Sequence, residues 1–337
     1  MDEITIYIQS LATTLHRDGR FAAAESYRTV AGRFAVFQKQ YPAGFAGLTP
    51  SYIKGFERFL YAHRCCRNTV SLYMRLLRSI CRKAGKEGLI SYSDELFAHV
   101  FTGYDSCDKR AVSADVIGLL LNLDLSKKGG LLFARDLFLL SFYLRGIPFI
   151  DLAHLKKSDI RGGILHYCRS KTKQPLAVKL EVWALEIIKR YEDVLPGSPY
   201  LLPIIKRPDD DDGHKQYDSA LRLYNKRLHQ LSGMLGLEKN LTSYVARHTW
   251  ATLAYHEGIP VSEISAGLSH TSEQVTYAYL ESFSADALAC VNLQVVALVN
   301  LSAKKLWESE QYNKKRLKNK SFRFFKGTGL IPMQRKG

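Results

Sequence analysis

Apolar residues recur at helical spacing along most of this chain, and period-two alternation is confined to one short stretch. Residues 1–40 read as two amphipathic helices, Ile4–Arg17 and Arg20–Gln38, with apolar positions every three or four residues. After a turn at Tyr41–Leu48, Thr49-Pro50 supplies a cap and a favoured first helical residue, and the third helix runs to about His63. Asn68 is placed to cap a fourth, TVSLYMRLLRSICRKAG, before Gly85 ends it. Gly103–Arg110 (GYDSCDKR) has the polar character of a linker, and a new helix spans Ala111–Leu123 with Ser113 as its cap. Residues 133–160 predict an apolar helix ending at Arg145-Gly146, then a short helix from Pro148 with Asp159 at its end.

The rhythm then changes. In GGILHYCRSKTKQPLAVKL (162–180), strand-like runs at Ile164–Cys168 and Leu176–Leu180 flank the polar turn Ser170–Gln174 and predict a hairpin. Helices resume over Glu181–Val194 and Tyr217–Leu235. In the stretch Leu241–Phe283, Thr242 or Ser243 caps a helix that runs to Glu257, where Gly258 ends it and Pro260 opens the next. Ser272 caps a third, and the apolar run 287–300 predicts one more. The chain is therefore mainly α, with one small antiparallel β-hairpin.

Charge sharpens this picture. The 337 residues carry a net charge of +16, which points to a polyanionic partner. Residues 1–100 hold 14 basic and 8 acidic side chains, residues 101–303 hold 23 and 22, and the last 34 hold 11 and 2. The excess sits at the two ends, around a nearly balanced middle. Arg75, Arg78 and Arg82 recur three and four apart, forming one positive helix face, with Arg64, Arg67 and Lys83 beside them. Cations at this density suit phosphate contacts that position a duplex without reading its sequence. Phe322, Phe324 and Phe325 alternate with basic residues in the tail 304–337, a pattern that suits nucleic-acid backbone or exposed bases and equally a disordered basic tail with no specific contact.

The six cysteines (Cys65, Cys66, Cys81, Cys107, Cys168 and Cys290) form no C-x-x-C pair, so inert thiols in a reducing cytoplasm are expected and zinc is not. The acidic loop PDDDDG reads as solvent-facing, and no metal is predicted there. MDEITIYIQS lacks the features of a signal peptide, and no run of about 20 apolar residues predicts a membrane span.

Candidate chemistry concentrates in Leu241–Phe283. Tyr244 and Arg247 stand three apart on one helix face, and Tyr279 follows His270 by nine residues. A tyrosine hydroxyl beside an arginine and a histidine can attack a phosphodiester, because guanidinium and imidazole can hold the charge of a pentavalent transition state. The order Arg247, then L-S-H ending in His270, then Tyr279 resembles the tyrosine recombinases of the phage-integrase family, whose pattern is H-x-x-R, L-G-H, then tyrosine.

The resemblance implies a set of roles. Arg247 matches the second catalytic arginine, His270 the distal histidine and Tyr279 the nucleophile, with Tyr277 as a competitor that the spacing disfavours. Tyr244 takes the place of the family's first histidine. The family's first arginine stands three residues before an acid; here Asp151 matches the acid, Pro148 fills the arginine column, and Arg145 is one turn earlier and is taken as that arginine. Lys171, in R-x-K-T form, matches the general-acid lysine, with Lys173 as the alternate. The implied layout is a small helical core-binding (SAM-like) domain at 1–104, a helical catalytic domain at 111–303 and a basic tail at 304–337. The implied activity is site-specific DNA strand exchange through a 3′-phosphotyrosine, without cofactor or metal, by a tetramer on paired sites of double-stranded DNA, with accessory DNA-bending proteins as further partners. A type IB topoisomerase, or a DNA-binding protein without strand exchange, are the alternatives.

Overall fold

Capping signals at the start of the chain set the first helices of the computed structural model, which describes residues 2–105, 110–206, 213–277, 279–280 and 296. Four helices come first: α1 (Glu3–Arg17), α2 (Phe21–Gln40), α3 (Pro50–Ala62) and α4 (Arg67–Lys86). Asp2 caps α1 by accepting from Thr5 N at 2.8 Å, and Thr49 caps α3 by accepting from Tyr52 N at 3.2 Å. The expected cap at Asn68 is not made. Cys66 holds the N-cap of α4, and the Asn68 amide instead accepts from Asp105 N at 2.8 Å and donates to Asp105 O at 2.9 Å. A side chain engaged with a segment 37 residues away is no longer free to cap its own helix. Phe34, Ile53, Phe56, Met74 and Leu77 fill this bundle, with Phe34 edge-on to Phe56 at 5.0 Å. Glu57, also buried, accepts from Phe101 N at 2.7 Å and pairs with Lys54, fastening the following segment to α3.

A second cluster of buried apolar residues runs from Ile117 to Ala246, built on α5 (Ala114–Asn122), α6 (Gly129–Tyr143) and α7 (Phe149–His154). It also includes α8 (Val182–Tyr191), α9 (Gly213–Met234) and the start of α10 (Val245–His256). The apolar helix α6 lies at its centre: Leu137, Phe138, Leu139 and Leu140 are all buried. The short helix after Pro148 stops at His154 rather than at Asp159, whose carboxylate accepts from Lys156 N at 2.8 Å in a separate 3-10 turn.

The sheet has three strands where the alternation predicts two. β1 (Ile160–Arg161), β2 (Ile164–Cys168) and β3 (Pro175–Lys179) pair antiparallel in that order, with Leu165 opposite Val178 and both facing the core. β1 is two residues long, too short to show alternation. A small third cluster joins α10 to α11 (Val261–Leu268) and α12 (Glu273–Tyr277) through Ala251, Ile264, Leu268 and Leu280. The predicted helix over 287–300 (apart from Val296), the tail, the PDDDDG loop at 208–213 (apart from Gly213), Cys107 and Cys290 lie outside the described residues. Among the described residues no helix is long and apolar enough to cross a membrane.

Candidate active site

The N-terminus of α10 positions the first cation. No side-chain hydrogen bond caps it: Thr242 Oγ1 is buried without a hydrogen-bond partner among the described residues, Thr242 O accepts from Val245 N at 3.0 Å, and Ser243 N donates to Asn225 Oδ1 at 2.9 Å. The helix therefore starts one or two residues later, at Val245 with Tyr244 as N-cap. Arg247, one turn in, is only 2% exposed. Its guanidinium donates to Gly146 O at 2.9 Å, to Leu268 O at 2.5 Å and to His270 Nε2 at 3.0 Å. Burial first, and then the charge of Arg169, hold the Arg247 pKa below the usual arginine value.

His270 follows the C-terminus of α11. Because Nε2 accepts from Arg247, the ring proton sits on Nδ1, which donates to Thr276 Oγ1 at 2.9 Å. Burial, then Arg247, Arg169 and Lys171, push the imidazole pKa down to about 3, so this histidine is neutral. Its ring lies 5.0 Å from that of Tyr279, and the Arg247 guanidinium carbon lies 5.7 Å from the Tyr279 ring centre. A second histidine, His248, also packs on Tyr279, with ring centres 4.5 Å apart. Tyr279 is anchored through its backbone, which donates to Thr276 O at 2.9 Å and accepts from Thr252 Oγ1 at 3.2 Å. Tyr277, the competitor, is exposed.

Tyr244 lies at the rim, 45% exposed, its ring 6.4 Å from His248. Partial burial and then the Tyr279 phenol raise its pKa, so it is a protonated hydrogen-bond donor. Arg145 ends α6 in the left-handed conformation, with φ +59, and its side chain forms no hydrogen bond or ion pair with any described residue. Non-glycine residues avoid that conformation at a cost of about 1 kcal/mol, and such strain collects at functional sites. Lys171 is exposed on the turn between β2 and β3 and is likewise unpaired among the described residues. Lys173, also exposed, has φ +58 and its backbone N–H closes that turn onto Arg169 O at 2.8 Å.

Arg169 is the residue that the sequence reading passed over. It is buried, faces Asp151 at 3.6 Å, and donates to Leu268 O at 2.8 Å and Ser269 O at 3.3 Å. Asp151 also accepts from Ser170 N at 2.9 Å. The R-x-K-T string that marked Lys171 already contained it, but nothing local distinguishes a buried arginine from an exposed one. Its charge, with those of Arg145 and Arg247, opposes the rise that burial and Asp151 impose on the Tyr167 pKa. The charges of Arg247, Arg169 and Lys171 all act on His270, and among the described residues Asp151 is the carboxylate that faces Arg169. That composition suits an oxyanion. Among the described residues no group of three His, Cys, Asp or Glu side chains is placed to hold a metal.

The six cations predicted for duplex contact lie on or just before α4. Arg64 and Arg75 are exposed and form no ion pair with any described residue, and Arg67 lies 3.6 Å from Asp105 and over the Phe101 ring. Arg82 pairs with Asp94 at 2.7 Å and with Tyr92 at 3.1 Å. Arg78 donates to Phe97 O at 3.4 Å, and Lys83 lies 5.2 Å from the Tyr27 ring centre.

Residues 3–97 match the family model of the phage integrase SAM-like domain, and residues 132–285 match that of the phage integrase family. No curated protein sequence matches the chain significantly. Among solved structures, the chain is similar to a lambda integrase dimer bound to a COC′ core site (18% identity, 76% of this chain and 88% of that one, TM-score 0.57). It is also similar to the Tn1549 transposon integrase in complex with a circular intermediate DNA (11% identity, 87% and 100%, TM-score 0.60). A lambda integrase tetramer bound to a Holliday junction aligns over 76% of this chain and 72% of that one, with 18% identity and TM-score 0.55. At these identities the likeness speaks to the fold.

Proposed function

Since the chain belongs to the phage integrase family of tyrosine recombinases, we propose that it cuts and rejoins double-stranded DNA at specific sites, with Tyr279 as the nucleophile. The observation that carries this reading is the grouping of Arg247, His270 and Tyr279, with the Lys171 charge acting on the His270 imidazole. Tyr279 Oη attacks the scissile phosphorus, the new O–P bond leaves a 3′-phosphotyrosine, and the P–O5′ bond breaks. The phenolic proton goes to water while Lys171 gives one to the departing 5′ oxygen. Arg145 and Arg247 hold the nonbridging oxygens as charge builds on them. Neutral His270, its tautomer fixed by Thr276, orients the Arg247 guanidinium, and the Tyr244 hydroxyl adds a donor where a histidine is expected.

A 5′ hydroxyl of the partner duplex then attacks the phosphotyrosine and restores the phenol. The covalent intermediate retains the energy of the broken bond, so no nucleotide hydrolysis is required. The helical module at 1–104 positions the duplex through Arg64, Arg67, Arg75, Arg78, Arg82 and Lys83, opposite the catalytic domain at 111–303. Strand exchange takes place within a tetramer on paired sites, as the lambda integrase assembly on a Holliday junction suggests for the shared fold. Footprinting on the DNA that flanks its own gene should locate a site, and a plasmid bearing two copies should yield recombinants. Relaxation of a plasmid lacking those sites would instead favour a topoisomerase, and binding without cleavage would favour a DNA-binding protein.

A further inference from the structure

The residue between α11 and His270 is in the left-handed region, where glycine is the least strained choice, yet the chain places a serine there. Ser269 has φ +55 and ψ 48 and is buried. The conformation disfavours a side chain, so the serine has to be accounted for by what its hydroxyl does. That hydroxyl donates to Gln174 Oε1 at 2.6 Å. Gln174 ends the turn between β2 and β3, and its carbonyl accepts from Arg169 N at 2.9 Å to close that turn. Lys171 lies between these two residues. On the other side of the same contact, Arg169 Nη1 donates to Leu268 O and Ser269 O at 2.8 and 3.3 Å.

We infer that Ser269 is a positioning residue for Lys171: its hydroxyl clasps Gln174 and fixes the lysine-bearing turn against the helix end that carries His270. The inference rests on Lys171 serving as the general acid. The start of the turn is held by Arg169 and by Ser170 N on Asp151, its end by the clasp on Gln174, and Lys171 between them has no partner among the described residues. The clasp reduces the conformations open to the turn before DNA arrives, which is how positioning residues contribute to rate. Glycine at this position would relax the backbone and release the turn together, so stability and activity should part company.

The test compares wild type with Ser269→Gly, Gln174→Met, Gln174→Glu and Lys171→Ala on two nicked duplexes. One has the natural scissile phosphodiester, and the other has sulfur in place of the bridging 5′ oxygen. When the P–S bond breaks, sulfur leaves with the electron pair as a thiolate and requires no proton, since thiols ionise near pH ~8.5. We expect Ser269→Gly to unfold at no lower urea concentration than wild type, yet to cleave the phosphodiester about tenfold more slowly or worse. It should cleave the sulfur substrate at the wild-type rate. Gln174→Met should match Ser269→Gly on each substrate, slow on the phosphodiester and unimpaired on the sulfur one, while Gln174→Glu, which can still accept from the hydroxyl, should keep most of the activity. Wild-type cleavage of the phosphodiester by Ser269→Gly, or equal slowing on both substrates, would overturn the inference. Lys171→Ala separates the two levels: a defect restored by sulfur upholds the general-acid role, and one not restored removes that role and the clasp's purpose with it.

Discussion

Gly146 packs directly on α10, and replacing it with alanine measures how closely the Arg247 backbone is held. Its φ is +68, and an added Cβ would lie 2.5 Å from Arg247 Cα and 2.8 Å from Arg247 Cβ. Neither atom is the far end of a flexible side chain, so backbone must yield. The left-handed conformation costs alanine about 1 kcal/mol. Overpacking adds about 1–3 kcal/mol, for a total loss of about 2–4 kcal/mol. Gly258 is the internal control, because its φ is +79 but nothing lies within 4 Å of an added Cβ. Gly258→Ala should therefore lose only about 1 kcal/mol. Urea unfolding with a shared slope separates the two midpoints. Because Gly146 O also accepts from Arg247 Nη1 at 2.9 Å, Gly146→Ala should also cleave DNA more slowly under folding conditions. A drop of about tenfold or more is expected, since ångström-scale misplacement of a positioned group can cost about a hundredfold. Equal midpoints for the two variants, or wild-type cleavage by Gly146→Ala, would refute the argument.

Removing Arg169 (Arg169→Met) leaves Asp151 as a buried, uncompensated carboxylate and should cost about 3–5 kcal/mol in urea unfolding, part of which Asp151→Asn on the same chain should restore. His270 is held near a pKa of about 3, below the usual imidazole value of 6.5, so its ring resonances should stay flat as pH falls through 6.5. With the folded value depressed, its contribution to stability is present above pH 6.5 and is lost as pH falls towards 3, and His270→Phe should flatten that part of the stability curve. On a bound duplex, Arg75→Ala should lower the slope of log affinity against log salt by about 0.9. Arg82→Ala should lower it less, because Asp94 already holds that guanidinium at 2.7 Å.

What could be read from the chain alone divides by range. Helices announced by local signals lie within a few residues of their expected ends, as at Thr49-Pro50, where the cap and the first-turn proline act within four residues. The grouping of Arg247, His270 and Tyr279 was legible because one short stretch carries order, spacing and turn signals together. Asn68 illustrates the opposite case: its position is that of a cap, but Asp105 takes its side chain. Thr242 and Ser243 fail as caps for a different reason: Asn225, on another helix, takes the backbone N–H of Ser243, and the helix begins only at Val245. Arg169 with Asp151, and Ser269 with Gln174, depend on contacts across the hairpin and α11 that no periodicity encodes.

The central claim is that the phenol at position 279 becomes joined to DNA, and trapping the protein on a nicked duplex of its footprinted site tests it most directly. Wild type and Tyr277→Phe should each give a covalent complex that survives denaturing electrophoresis and maps to the peptide containing Tyr279, and Tyr279→Phe should give none. A covalent complex formed by Tyr279→Phe, or one lost with Tyr277→Phe alone, would contradict it.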